Sequence, residues 1–233
     1  EPDIMSLALT GDAVEAGGDM PMRALTPGGG YTGRFICFAR LNEGTYSFAG
    51  LTDEDASVTL GDKDGKLQSG GAPYTVGTPG VYRIIADTRS HTVELTLLNA
   101  LNVKGPVVPA AGATLEYAGR GVWKSSVKLV DNNVIQYINR YIWFAFNNDD
   151  NLAVKRVAGT NEAVMPSLGF NGENIRINGG EYEITLDMAQ GTFDITADVN
   201  PYKVSIFGSS VANGQGADGF QGYAYLYGEQ LKN

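Results

Sequence analysis

Apolar and polar residues alternate with a period of two along most of this chain, the spacing that places successive side chains on opposite faces of a β-strand. Such runs are Ile4 to Thr10, Gly33 to Leu41, Thr45 to Ala49, Val81 to Asp87 and Thr92 to Leu98. A second series comprises Leu101 to Lys104, Val122 to Val130, Tyr141 to Phe146, Tyr182 to Asp187 and Gly191 to Ala197. Clusters of Gly, Asp, Asn and Ser separate them, the residue types that tolerate turn geometry. No segment before residue 200 carries a sustained helical period with a cap, so the pattern predicts a mainly β chain.

The two series are copies of one another. Gly80-Val-Tyr-Arg-Ile-Ile-Ala-Asp87 and Gly180-Glu-Tyr-Glu-Ile-Thr-Leu-Asp187 agree at Gly, Tyr, Ile and Asp with an offset of one hundred. At the same offset Thr92-Val-Glu-Leu-Thr96 meets Thr192-Phe-Asp-Ile-Thr196, so each copy reads as a hairpin. Leu7-Ala-Leu-Thr-Gly11 matches Leu101-Asn-Val-Lys-Gly105, and Gly44-Thr-Tyr-Ser-Phe-Ala49 matches Arg140-Tyr-Ile-Trp-Phe-Ala145. The expectation is two tandem β-sandwich modules of immunoglobulin-like size, residues 1 to 98 and 99 to 199. Val199-Asn-Pro201 then marks a boundary before a third segment, 200 to 233.

Composition narrows the partners. The net charge of -9 over 233 residues disfavours nucleic-acid backbones and anionic membranes. No apolar run is long enough to span a membrane as a helix. Cys37, the only cysteine, sits among alternating apolar residues and reads as a buried, inert thiol rather than half of an intrachain disulfide. No His/Cys cluster exists, so no metal or cofactor is expected. The chain starts at Glu1, which leads us to expect a trimmed, exported product.

The last segment changes character. Val204-Ser-Ile-Phe207, the small-residue turn Gly208-Ser-Ser-Val-Ala-Asn-Gly214 and Gly222-Tyr-Ala-Tyr-Leu-Tyr-Gly-Glu-Gln-Leu231 read as strand, loop and helix. The turn resembles the first conserved block of the SGNH (GDSL-type) hydrolases, Gly-Asp-Ser-x-x-x-Gly, at Gly208, Ser210 and Gly214, with Ser209 standing where the family has Asp. The resemblance implies the truncated start of an α/β hydrolase domain, with Ser210 as nucleophile and its amide in the oxyanion hole. A serine nucleophile needs a base and an orienting partner. The family draws both from a later Asp-x-x-His, whereas the one histidine here, His91, lies in the turn Thr88-Arg-Ser-His-Thr92. The chain as it stands is therefore expected to be non-catalytic, its base absent. Gly214-Gln-Gly-Ala-Asp-Gly219 spells a dinucleotide fingerprint, but its first glycine falls too far past the strand to serve as one.

The repeated Gly-x-Tyr-x-Ile, Asp, turn and Thr-x-x-Ile pattern resembles the outer-membrane starch-utilisation lipoproteins SusE and SusF of Bacteroidetes. That resemblance implies exported glycan-binding modules of the periplasm or cell surface, lipid-anchored upstream of Glu1, that bind poly- or oligosaccharide. Aromatic platforms bind sugars because pyranose rings have apolar faces, and the candidates are Tyr117, Trp123, Tyr137, Tyr141 and Trp143. In Tyr141-Ile-Trp-Phe-Ala-Phe146, Tyr141 and Trp143 share one face and Ile142, Phe144 and Phe146 the other, which is the better core. Trp143 is then either a platform or packing between modules, and Trp123 is open to the same two readings. Asp62-Lys-Asp-Gly65 reads as an Asx turn rather than a calcium loop. Asn147-Asn-Asp-Asp-Asn151 reads as a hairpin loop with groups suited to sugar hydroxyls, and Pro27-Gly-Gly-Gly30 as a flexible connection. Three functions remain: an accessory glycan-binding or domain-positioning region, part of an SGNH-type esterase acting on acylated polysaccharide with the missing hydrolase domain elsewhere, and a spacer without ligand.

Overall fold

The computed structural model describes residues 2–130 and 140–197; the SGNH-like segment with Ser210, and Tyr137, lie outside the described residues. The first nine strands are β1 (Ile4–Thr10), β2 (Met20–Ala24), β3 (Arg34–Leu41), β4 (Thr45–Thr52), β5 (Ser57–Lys63), β6 (Lys66–Ser69), β7 (Tyr74–Thr75), β8 (Gly80–Asp87) and β9 (Thr92–Leu97). They form one antiparallel sheet in the order β6-β5-β4-β1-β2-β3-β8-β9, with β7 on β4. The second nine are β10 (Leu101–Lys104), β11 (Ala113–Gly119), β12 (Val122–Leu129), β13 (Tyr141–Phe146), β14 (Ala153–Arg156), β15 (Ala163–Val164), β16 (Ile175–Arg176), β17 (Gly180–Asp187) and β18 (Thr192–Ala197). Their order, β15-β14-β13-β10-β11-β12-β17-β18 with β16 on β13, repeats the first strand for strand.

Each sheet folds over on one strand. Met20 to Met22 of β2 pair with β1, whereas Arg23 and Ala24 pair with β3. Pro21 lies where β2 has a single neighbour, so its missing N–H costs no ladder bond. In the second sheet β11 changes partner in the same way, from β10 to β12. Each fold-over closes at the far edge: Leu67 N–H donates to His91 O at 2.9 Å, and Ala163 N–H to Gly191 O at 2.7 Å. The result is a sandwich built from one curled sheet, in which consecutive strands β1, β2 and β3 pair as a meander.

The aspartate shared by both copies closes the hairpins. Asp87 Oδ1 accepts from the N–H groups of Arg89 and Ser90 at 3.0 and 2.9 Å, and Asp187 Oδ1 accepts from Gln190 N–H at 2.9 Å. His91 and Gly191 follow at φ 58° and 72°, the left-handed residue each turn needs. The glycines ending β1 and β10 are equally constrained. Gly11 at φ 126° and Gly105 at φ 136° sit against the backbone of β4 and β13, and a Cβ would come 2.8 Å from Tyr46 Cα in one and 2.9 Å from Ile142 Cα in the other.

Two cores result, and they are unequal. Leu7, Leu9, Phe35, Phe48 and Ile84 fill the first sandwich. The second core contains not only Val103, Trp123, Phe144 and Ile184 but also Leu25, Ile36, Phe38, Val81 and Ile85 of the first sheet. Strands β3 and β8 are therefore buried on both faces. Phe38 reaches into the second core, stacked on Phe146 with centroids 5.6 Å apart and edge-on to Trp123 at 6.0 Å. Around this contact, Tyr117 Oη and the Arg120 N–H donate to the Glu15 carboxylate, the latter at 2.9 Å, and Arg120 Nη2 donates to Asp19 O at 2.9 Å. Cys37 is buried in the first core, where desolvation pushes its thiol pKa well above the usual range and leaves it unreactive.

Candidate functional site

Strand β13 supplies the best-formed surface feature. Ile142, Phe144 and Phe146 are buried in the second core, while Tyr141 and Trp143 point to the opposite face and are half-buried. Their rings are near-parallel, 28° apart, with centroids separated by 6.0 Å. The register places Lys104 of β10 directly across from Trp143 and Arg176 of β16 across from Tyr141. Directly opposed residues share a face, so two cations flank the aromatic pair.

The loop after β13 adds the polar component. Asn147 and Asn148 take left-handed φ of 54° and 57°, turning the chain sharply enough to bring Asp150 back beside β13. Trp143 Nε1 donates to Asp150 Oδ1 at 3.3 Å, and Lys104 Nζ lies 3.2 Å from the same oxygen. Hydrogen bonding from Lys104, then from Trp143, holds the Asp150 carboxyl below the usual carboxylate range. The indole is thus fixed edge-on to a carboxylate. Asn147 is consumed structurally: its Oδ1 accepts from Asn99 N–H at 2.7 Å and its Nδ2 donates to Leu97 O at 2.8 Å. Asp149 caps the following 3₁₀ turn by accepting from Asn151 N–H. Asn148, Asp150 and Asn151 remain exposed beside the shelf.

The other aromatic candidates lie elsewhere. Trp123 is 3% exposed and packs against Phe38, Tyr117 and Phe146, because β12 turns it into the second core; it is part of the packing between the two sheets and offers no surface platform. Tyr117 stands beside it, with Arg40 over its ring at 5.4 Å and its hydroxyl committed to Glu15. Both line a cleft of about 650 Å³ between the sheets, whose open face is made by Arg40, Asn99 and Glu116 rather than by an indole. Tyr117 and Trp123 are thus brought together, but apart from Tyr141 and Trp143.

Sequence reasoning did not find Phe38, Lys104 or Arg176, and it placed Asp150 only within a polar hairpin loop. The signal for Phe38 lay in the repeat: Ile36, Phe38, Val81 and Ile85 occupy the strand places that Lys124, Ser126, Glu181 and Thr185 hold in the second copy. Asp62 Oδ1 accepts from Gly65 N–H at 2.9 Å, forming a turn rather than an ion cage. Among the described residues no group of three His, Cys, Asp or Glu is placed to hold a metal. None of the described helices is long and apolar enough to cross a membrane.

No family model matches the sequence, and no curated protein matches it. Among solved structures, SusF from Bacteroides thetaiotaomicron is similar over 82% of this chain and 47% of its own, at 13% identity and a TM-score of 0.46. The chain thus spans less than half the length of that protein.

Proposed function

We propose that the chain is an accessory glycan-binding region whose ligand lies along the shelf made by Tyr141 and Trp143. The observation that carries this reading is the pair itself: two near-parallel, half-exposed rings on one strand face, bordered by Lys104, Asp150 and Arg176. An apolar surface ringed by charged hydrogen-bonding groups suits a polyhydroxylated ligand, whose ring faces pack on the aromatics while its hydroxyls meet the rim. Ordering of Trp143 by Asp150 lowers the entropy cost of binding. In the fuller reading the two sheets are immunoglobulin-like modules, 1 to 98 and 99 to 199, of an exported, surface-anchored bacterial protein. The SGNH-like segment from residue 200 then opens a carbohydrate esterase that acts on acylated polysaccharide, with Ser210 as its nucleophile.

Tryptophan emission tests this reading, since the two indoles differ in environment. Addition of the cognate polysaccharide is expected to quench or shift Trp143 emission while Trp123, buried, is unaffected. Trp143→Ala is expected to weaken binding about tenfold or more, equivalent to about 1.4 kcal/mol. Trp143→Phe is expected to retain part of the affinity. A broad panel of plant, algal and bacterial polysaccharides producing no change in Trp143 would sink the glycan reading and favour a spacer.

A further inference from the structure

We infer that the mouth of the first sandwich is a separate pocket for a single, neutral, polyhydroxylated ring such as a free hexose. This inference deepens the glycan reading, on which its ligand class rests, but it concerns a different site and a different ligand size. The pocket lies at the edge where β6 meets the β8–β9 turn and has a volume of about 350 Å³. That is near the lower end of the ~300–1,000 Å³ typical of small-molecule sites, room for one ring rather than a chain. Ile4, Val58, Leu60 and Leu67 form an apolar floor.

The internal repeat provides a control for this pocket. Two pairs of backbone hydrogen bonds fix the equivalences: Leu67 N–H to His91 O corresponds to Ala163 N–H to Gly191 O, and Thr88 N–H to Gly33 O corresponds to Met188 N–H to Gly121 O. In the second sheet the first packs across this same mouth, leaving between them a cleft of about 300 Å³. The Arg23 guanidinium lies where a Cβ on Gly191 would be, Leu25 and Ile36 face Met165, and Phe38 O would be 3.0 Å from a Cβ on Gly121. Its seat is made of methionine and glycine, matching an apolar protein neighbour. In the first sheet the mouth is open, and the residues at those places have changed in kind. Ser69 stands for Met165, Thr88 for Met188 and His91 for Gly191. A protein-docking seat has become a polar rim above an apolar floor.

The rim groups favour a neutral, hydroxylated ligand. Thr52, 6% exposed, accepts from the N–H groups of Glu54 and Ala56 at 3.3 and 3.2 Å, which occupies its lone pairs and leaves its O–H to donate. Thr88 donates its own O–H to Gly33 O at 3.0 Å and keeps acceptor capacity. His91 Nδ1 lies 3.1 Å from Leu67 O; because a carbonyl only accepts, Nδ1 carries the proton. Arg89 stacks on Tyr31 at 4.7 Å and pairs with Asp3 at 3.4 Å, so the one rim guanidinium is held still and its charge is balanced. Donors and acceptors of both kinds converge without a net charge to select an ion.

His91 is the only histidine in the chain, so its imidazole resonances report on this pocket alone. A panel of free hexoses and pentoses titrated into the full chain is expected to shift the His91 ring signals saturably for at least one sugar. The Trp143 indole signal is the readout of the shelf and is expected to stay in place with that free sugar. Ser69→Met, and separately Thr88→Met, restore the residues of the second mouth and are expected to abolish the His91 shift while leaving polysaccharide binding at Trp143 unchanged. Ser69 is exposed, so the first variant reads ligand binding even if the second disturbs the turn. The inference is overturned if no sugar moves the His91 signals, if both variants keep the full shift, or if the signals move with protein concentration alone, which would mean a second copy fills the mouth. Loss of the shelf with the pocket intact, or the reverse, separates the two sites.

Discussion

Phe38→Ala is expected to lower the stability of both sheets together, by about 3–5 kcal/mol. Phe38 is fully buried, yet it points away from the core of its own sandwich; its ring contacts Phe146 and Trp123 of the other. Removing it opens a cavity in the middle of the second core, which cannot collapse because β3 and β8 are held on their other face by the first core. At about 2–4 °C per kcal/mol for a domain of this size, the midpoint of thermal unfolding should fall by about 6–20 °C. Melting followed by Trp123 emission and melting followed by far-ultraviolet circular dichroism should remain superimposed. Were the two sandwiches independent, Phe38 would be a surface residue of the first, and its loss would cost at most about 0.5 kcal/mol. A change that small, or two separated transitions, would refute the shared core.

The same contact explains what was legible in the sequence. The hairpins β8–β9 and β17–β18 stood out because alternation, a turn aspartate and a left-handed turn position coincide there, and they do so twice at one spacing. Strand β2 was not legible: Met-Pro-Met-Arg-Ala carries a proline in mid-strand, tolerated only because the sheet changes partner there. Strand β5 loses its period at Gly61, which is buried beside Leu60 and lies so close to another backbone that a Cβ would come 2.4 Å from Ala72 O. Tyr141 and Trp143 could be assigned to the outward face because alternation in β13 is strict, but no local pattern could place Asp150 against the indole. That contact depends on two left-handed asparagines, whose conformation is a property of the closed loop. Trp123 presented the converse problem, since an indole flanked by valine and lysine gives no hint that a phenylalanine some eighty residues earlier covers it.

Gly105→Ala should damage the shelf without touching it. Gly105 ends β10 at φ 136°, a conformation that costs an L-residue about 1–3 kcal/mol. The added Cβ would also run into Tyr141 O and approach Ile142 Cα at 2.9 Å, both backbone atoms of β13, so no side chain can swing aside to relieve the contact. Overpacking of this kind adds about 1–3 kcal/mol. The strand can escape only by shifting β13 away from β10, which would separate Trp143 from Lys104, its cross-strand neighbour, and weaken the Asp150 link that both share. Gly11, in the same position of the first sheet, faces Thr45 and Tyr46 in the same way, and Gly11→Ala should cost a similar amount of stability. The two variants differ in what they do to the ligand. Gly105→Ala should lower both thermal stability and polysaccharide affinity and move the Trp143 indole resonance, whereas Gly11→Ala should lower stability while leaving affinity and that resonance where they were. Equal loss of affinity in both would show that binding follows global stability, and would remove the shelf as the reason for it.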